Sequence, residues 1–499
     1  MAEQTLKERT ARGLLWGILN NGTMQLLNLV FGIVLANLLS PGDYGLAGEV
    51  GIFSLLAGAL QQSGFIPALV NRRNAVYADF NSVFWFNIVC SACIYIVLWC
   101  CAPFISAYFG EPELLWLSRY AFIGFFFASF SIVPRAMLMR ELRVKEQTII
   151  NLSALLLSGL VGVTMALSGF TYWSVVTQNV VFVSTVSVMS WHYSGFRPSL
   201  HVTLQPVREM FRFSGKILVT DIFNCFYNSI FAFVFGRWYT KQEVGVYTQA
   251  NKWNKMGSDL ITGVVQGVAQ PMFVQVDNDR ERLCRAFHKM LRFTSLMTFP
   301  AMLGLAVVAP ELITLLIGEK WRSSAQFMQM LCVAGALMPI TALYTNFLLS
   351  RRRSGIYMWS ILSQGILVLA LLCIIHHFDW QWHIHILSAD IRLGSMQLMV
   401  LAYVTVYMLW LLLWHYFVWR EIRLTLLSAL LDMLPFALAA AASLAAACWL
   451  THGITTTWLL LLLRVVITAA LYFVCLWVTG AHILRESIAY LRHPHSSHS

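Results

Sequence analysis

Lys252, Lys255 and Asp259 recur at i, i+3 and i+7, a spacing that puts two ammonium groups and a carboxylate on one face of a helix. Arg119 and Arg464 are two further cations inside long apolar stretches. Arginine binds phosphate as a planar fork and lysine as a point charge. As a set, Arg119, Lys252, Lys255 and Arg464 therefore describe a basic cavity that holds a phosphate-bearing ligand. Two polar faces accompany them. Asn21, Gln25 and Asn28 recur at i, i+4 and i+7, and Asp221, Asn224 and Asn228 at i, i+3 and i+7. Such amides bond the hydroxyls of a sugar, or equally bond one helix to another. Glu49, Asp221 and Asp259 are carboxylates placed to take up H+ or Na+. Each cation also has a structural reading. It pairs with Glu49, Asp221 or Asp259, or, for Arg119 above all, extends its stem to reach the membrane interface.

The elements that carry these residues are spanning helices. The chain of 499 residues is 58% hydrophobic and 11% charged, with a mean hydropathy of +0.67. Soluble domains run about 45–50% apolar and about 25% charged. So few charges cannot solvate the exterior of a globule, which excludes soluble enzymes, nucleic-acid-binding proteins and disordered chains. A spanning helix takes about 20 mostly apolar residues. Fourteen stretches qualify: 14–39, 45–70, 81–108, 114–139, 147–168, 171–193, 213–236, 244–272, 291–317, 325–349, 355–377, 396–418, 427–450 and 457–479. Pro67, Pro300 and Pro310 fall inside stretches, which membrane helices tolerate. Continuous runs such as TWLLLLL at 457–463 lack the alternation of a barrel strand. The first stretch exceeds the length of a signal-peptide core and has no evident cleavage site, so a retained helix is expected. The longest connections lie near 194–212, 273–290 and 378–395, too short for an extramembrane catalytic domain. The expected fold class is an all-α integral membrane protein of about fourteen transmembrane helices.

The net charge of +11 comes from 34 Lys and Arg against 23 Asp and Glu. With the N-terminus inside, 25 of the 34 fall in inner connections, and Arg237, Lys241, Lys320, Arg322 and Arg392 fall outside. That asymmetry recurs at every inner loop, so both termini are expected in the cytoplasm. The four left over are the intramembrane cations already named.

A shift of 200 residues aligns Asn28, Phe31, Val34 and Gly45 with Asn228, Phe231, Val234 and Gly245, and Asp43 with Glu243. Ala102-Pro103 with Gly110-Glu111 resembles Ala309-Pro310 with Gly318-Glu319 at an offset of 207 to 208. The order favours a duplicated unit of six helices. Six is even, so the repeat is parallel, and two such bundles meeting face to face make a midplane cleft. The expected divisions are 1–195, 196–420, and 421–499 with two extra helices.

Other signals carry less. Ten Cys lie in or beside apolar runs, and the Cys90/Cys93 pair sits within a helix without a partner pair, so packing explains it better than zinc or redox chemistry. His376, His377, His383 and His385, and His493, His495 and His498, read as solvated loop and tail residues. No phosphate-cradling nucleotide motif, HExxH or GxSxG is present, and neither a metal nor another cofactor is expected.

Several motifs in order give a resemblance: LLSPGDYGLA at 38–47, FIPALV at 65–70, NSVFWFN at 81–87, PRAMLMRELRV at 134–144, EVGVYTQANKW at 243–253 and LLIGEKW at 315–321. Over residues 10–350 the chain resembles the bacterial polysaccharide flippases of the Wzx type, in the multidrug/oligosaccharidyl-lipid/polysaccharide exporter superfamily. The resemblance implies two six-helix lobes around a V-shaped basic cavity, two extra C-terminal helices and a place in the bacterial inner membrane. It implies movement of an undecaprenyl-pyrophosphate-linked oligosaccharide from the cytoplasmic to the outer leaflet, alongside a polysaccharide polymerase and glycosyltransferases. A lipid II or teichuronic acid precursor is the alternative cargo. A cation-coupled small-molecule antiporter is the alternative activity, weakened by the mixed charge of the cavity residues. An enzyme is not expected, because no long loop or carboxylate cluster at a loop mouth is present.

Overall fold

The computed structural model describes residues 6–62, 69, 76–141, 143–199, 205–275, 279–351, 353–378, 382–386, 389–454 and 456–478, with 6–21, 57, 59–62, 205–221, 268, 270–271, 274–275, 354, 382–386 and 389–393 given by backbone only. The helices are α1 (Leu6–Leu38), α2 (Pro41–Gln62), α3 (Tyr77–Phe109), α4 (Leu114–Arg140), α5 (Val144–Leu167), α6 (Thr171–Ser194), α7 (Gln205–Trp238), α8 (Lys241–Gln275), α9 (Arg280–Val307), α10 (Ala309–Ile317), α11 (Arg322–Ser350), α12 (Ser354–His377), α13 (Ser395–Ile422), α14 (Leu426–Leu450) and α15 (Thr457–Val478). Among the described residues, all but α10 are 22 residues or longer. Ten are long and apolar enough to cross a membrane, which makes this a multi-pass helical membrane protein. The other four long helices, α1, α2, α7 and α8, carry the polar faces.

Three departures from the sequence reading have local causes. The stretch 291–317 is two helices, broken at Val308, with Pro310 in the first turn of α10 where its missing N–H costs nothing. The first of them, α9, begins at Arg280, ahead of the apolar run, because Asp279 caps it: its carboxylate accepts from the N–H groups of Glu281 and Arg282 at 2.9 and 3.0 Å. The connection 378–395 holds an antiparallel hairpin, β1 (Trp382–Ile386) and β2 (Ala389–Leu393), with His383 opposite Arg392. Its WHIHI segment alternates apolar and polar residues, the period of a strand rather than of a helix.

The chain divides into two compact units, residues 1–248 and 249–499. In the first, α3, α4, α5 and α6 form one bundle, α1 lies on α5, and α2 lies on α7, α4 and α6. Lipid is as apolar as leucine, so helices in it associate through close packing and polar bonds rather than through hydrophobic drive. Both are present. A side chain at Gly159 would overlap the Phe31 ring, so α1 and α5 meet there only because the residue is glycine. Ser187 and Trp191 of α6 donate to the carbonyls of Phe127 and Phe130 of α4, each at 2.8 Å.

In the second unit α11 is central, packed on α9, α10, α12 and α13. Phe273, Phe287, Tyr344 and Phe347 fill the space between α8, α9 and α11. The last two helices are fixed to α9 and α10 by polar groups. Asp432 of α14, 2% exposed, takes Arg292 Nε at 2.6 Å on one oxygen and His288 Nδ1 on the other. Tyr472 of α15 donates to the carbonyl of Leu296 at 3.0 Å. Replacing Asp432 by alanine leaves Arg292 and His288 without their acceptor. Hydrogen bonds to charged groups contribute roughly 1.5–3 kcal/mol each. Thermal unfolding in detergent should therefore shift down by a matching amount for Asp432→Ala and stay unchanged for the exposed Leu431→Ala.

Candidate functional site

The geometry of α8 decides where its charges point. Ala250, Trp253, Asn254, Ser258, Ile261, Val265, Ala269 and Phe273 are buried at helical spacing. That face is pressed tightly: side chains at Gly335 and Gly257 would strike Asn254 and Met302, and Ser258 Oγ contacts Met338 Sδ at 3.4 Å. Lys252 and Asp259, seven residues apart, are exposed on another face, with Lys255 half-buried between them. Lys255 and Asp259 are close enough for their charges to interact. Lys252 is about 16 Å along the axis from the start of α8. The sequence placed these three on one helix face, and the structure keeps that face off the packed side. Beside it, both amide atoms of buried Asn254 lack a hydrogen-bond partner among the described residues.

The other two cations have different surroundings. Arg464 Nη1 sits 2.7 Å from Glu311 Oε1, with Nε 3.4 Å from Thr451 Oγ1, tying α15 to α10. This is intraprotein pairing, with a carboxylate that spacing along the chain could not reveal. The Arg119 guanidinium lies over the Trp99 and Trp116 rings, 4.7 and 4.9 Å from their centroids. On the polar faces, Gln25 and Asn224 are half-buried and Asn28 and Asn228 exposed, with Asn228 Nδ2 donating to the Asn224 carbonyl at 2.9 Å. The side chains of Asn21 and Asp221 lie outside the described residues.

Within the first unit, α2 and the first turns of α8 touch backbone to backbone. A side chain on Gly45 would overlap the carbonyl oxygen of Lys241, and one on Gly245 would overlap that of Pro41. The two helix starts are built alike. The Ser40 N–H bonds Asp43 Oδ2 at 2.9 Å, and the Thr240 N–H bonds Glu243 Oε2 at 2.9 Å, each a cap two residues ahead of its glycine. Glu49, one turn further along α2, is 1% exposed and faces Gly236 of α7, and its Oε2 has no hydrogen-bond partner among the described residues. The α3–α4 turn closes over the same place. Lys241 Nζ is 3.0 Å from Glu111 Oε2 and 3.5 Å from Glu113 Oε1, and Tyr108 stacks on Phe233 at 4.8 Å. The 200-residue shift pairs Gly45 with Gly245 and Asp43 with Glu243, but it does not bring Lys241 to Glu111. The matched caps were the available signal that they form one contact.

The comparisons with known proteins agree with this architecture. A family model described as "Polysaccharide biosynthesis protein" matches residues 34–326. The chain belongs to this family. It is 24% identical over 358 residues to the lipopolysaccharide biosynthesis protein WzxC of Escherichia coli K12, covering 70% of this chain and 72% of that one. It is 24% identical over 357 residues to the succinoglycan biosynthesis transport protein ExoT of Rhizobium meliloti, covering 70% and 71%. It is 22% identical over 369 residues to the teichuronic acid biosynthesis protein TuaB of Bacillus subtilis, covering 73% and 76%. Among solved structures, the lipid II flippase MurJ in an inward closed conformation superposes with a TM-score of 0.76 at 12% identity, over 94% of this chain and all of that one (100%). An inward-facing multidrug transporter of the MATE family gives 0.61 at 14% identity, over 84% and 95%. The fold is thus that of the exporter superfamily, and the resemblance to Wzx-type proteins holds.

The α2–α8 contact has a pH signature. The hydrogen bond to Glu111, reinforced by both carboxylate charges, holds the Lys241 ammonium pKa above its usual value. Glu113 is held below the carboxylate range, chiefly by its own backbone N–H and then by Lys241. A lowered carboxylate loses its contribution as pH falls through the lowered value, and a raised lysine loses its own as pH rises through the raised value. The difference in thermal midpoint between wild type and Lys241→Gln should therefore stay constant from about pH 5 to about pH 9 and shrink below about pH 4.

Proposed function

We propose that the protein is a flippase for a lipid-linked polysaccharide precursor, and that it moves an undecaprenyl-pyrophosphate-linked oligosaccharide from the cytoplasmic to the outer leaflet by alternating access. The observation that carries this reading is that Lys252 and Lys255 share a face of α8 away from its buried side, and in this reading that face lies near the middle of the membrane. Charges at that depth are costly and mark a substrate or ion route. In this reading the two lysines hold the pyrophosphate, and Asn21, Gln25, Asn28, Asn224 and Asn228 bond the sugar hydroxyls. Arg464 is paired with Glu311, and Arg119 lies over two indoles, so neither joins the two lysines in this reading. Fourteen crossings, two parallel six-helix repeats and cytoplasmic termini complete the arrangement, supported by the matched helix starts at Ser40 and Thr240. The α2–α8 contact is the closed outer side, and transport parts it.

Glu49 is the favoured carrier for coupling to H+ or Na+, ahead of Asp259 and Asp221, because it is buried beside that contact with an unbonded oxygen. The kinship with TuaB keeps a teichuronic acid precursor as the second cargo. Combining Lys252→Ala with Lys255→Ala should reduce glycan export at least about tenfold, the loss expected when one charge-assisted phosphate bond of roughly 1.5–3 kcal/mol is removed. Membrane abundance should be unchanged. Export at the wild-type rate would remove the proposed role of these lysines.

A further inference from the structure

Arg119 needs an anion that the protein does not give it. It is five residues into α4, about 8 Å along the axis from the α3–α4 turn. Among the described residues it forms no ion pair, and its Nε is buried without a hydrogen-bond partner. Its neighbours are Trp99 and Trp116, exposed at 37% and 58%, and Tyr95, a neutral phenol near enough to feel its charge. The rest of that surface is Val89, Ile96, Val97 and Phe104 of α3 and Phe127 of α4, all large, apolar and exposed. Such a face meets lipid rather than a wet cavity. Aromatic faces attract a guanidinium but accept none of its N–H bonds in the plane. An unpaired arginine at this depth is costly, and the anion within reach from the lipid side is a phosphate.

We propose that Trp99, Trp116 and Arg119 form a binding site for the phosphate of a membrane lipid, open to the bilayer at the α3–α4 end of the first unit. The two indoles make a slot at the depth where tryptophan belts lie, and the guanidinium edge supplies paired donors to phosphate oxygens. The Lys/Arg asymmetry of the loops puts this end in the outer leaflet. The ligand is a lipid-anchored phosphate, either a phospholipid headgroup or the phosphate end of a polyprenyl carrier. The site is separate from the α8 lysines and does not depend on the transport reading.

The test is lipid binding to the purified full-length protein in neutral detergent, read by native mass spectrometry and by the shift in thermal midpoint. Phosphatidylglycerol is added to wild type, Arg119→Gln, Arg119→Lys and Trp116→Ala, with a diacylglycerol glycoside as the phosphate-free probe. Wild type should retain phosphatidylglycerol and gain stability from it, and should gain nothing from the glycoside. Arg119→Gln should weaken binding at least tenfold, Trp116→Ala several-fold, and Arg119→Lys least. Arg322→Gln, an exposed arginine elsewhere, should bind as wild type does. Competition by undecaprenyl phosphate then separates the sources: a preference above tenfold names the carrier lipid, and equal competition names bulk headgroups, and either supports the site. Equal binding of the glycoside, or unchanged binding by Arg119→Gln when Arg119→Lys is also well folded, overturns it.

Discussion

In hydrocarbon a charge without a partner is not tolerated, and this rule orders the whole molecule. Once each intramembrane charge is matched to its neighbour, the structure sorts them into two kinds. Asp432 with Arg292 and His288, and Glu311 with Arg464, are paired between helices and bind the last two helices to α9 and α10. A buried pair of this sort fixes which helices neighbour each other more than it adds net stability. Lys252, Lys255 and Asp259 differ in place: they share one helix face, with Lys255 and Asp259 near enough for their charges to interact. They lie off the buried face of α8, and Arg119 lies over the Trp99 and Trp116 rings.

The second constraint is closeness of backbones. Without hydrophobic drive, two helices meet firmly only where small residues let them. Gly45 and Gly245 do this for each other, at matched positions of two helices that begin with the same kind of cap. The contact is flat, backbone against backbone, and beside it Lys241 of α8 bridges to Glu111 and Glu113 of the α3–α4 turn. Glycine surfaces do not interlock, so they can separate without unthreading side chains. A joint of this kind suits an interface that must open repeatedly, and Glu49 stands beside it.

Much of this was legible in the sequence. Apolar stretches longer than a strand could use gave the long helices, and the i, i+3, i+7 spacing put Lys252, Lys255 and Asp259 on one face. What could not be read were partners far apart in the chain. Glu311 and Arg464 are 153 positions apart, and Asp432 lies 140 from Arg292. Nothing local to Arg464 distinguishes it from Lys252, so four cations looked alike until folding paired one and set another on tryptophans. Helix ends were blurred for a simpler reason. The α9 helix continues into polar sequence because Asp279 caps it, which hydropathy does not register. The 382–393 hairpin was hidden by its length, since a five-residue alternation is weak against the long apolar runs around it.

In the proposed transport cycle the α2–α8 contact opens and closes once per turnover. A cysteine cross-link tests it directly. A side chain at Gly42 would lie 3.8 Å from the Gln242 side chain, so cysteines at 42 and 242 are within bridging reach. In cells producing the Gly42→Cys, Gln242→Cys protein with its native cysteines replaced, oxidation should stop glycan export and reduction should restore it, while each single variant exports throughout. Export that continues at full rate with the cross-link complete would contradict the account.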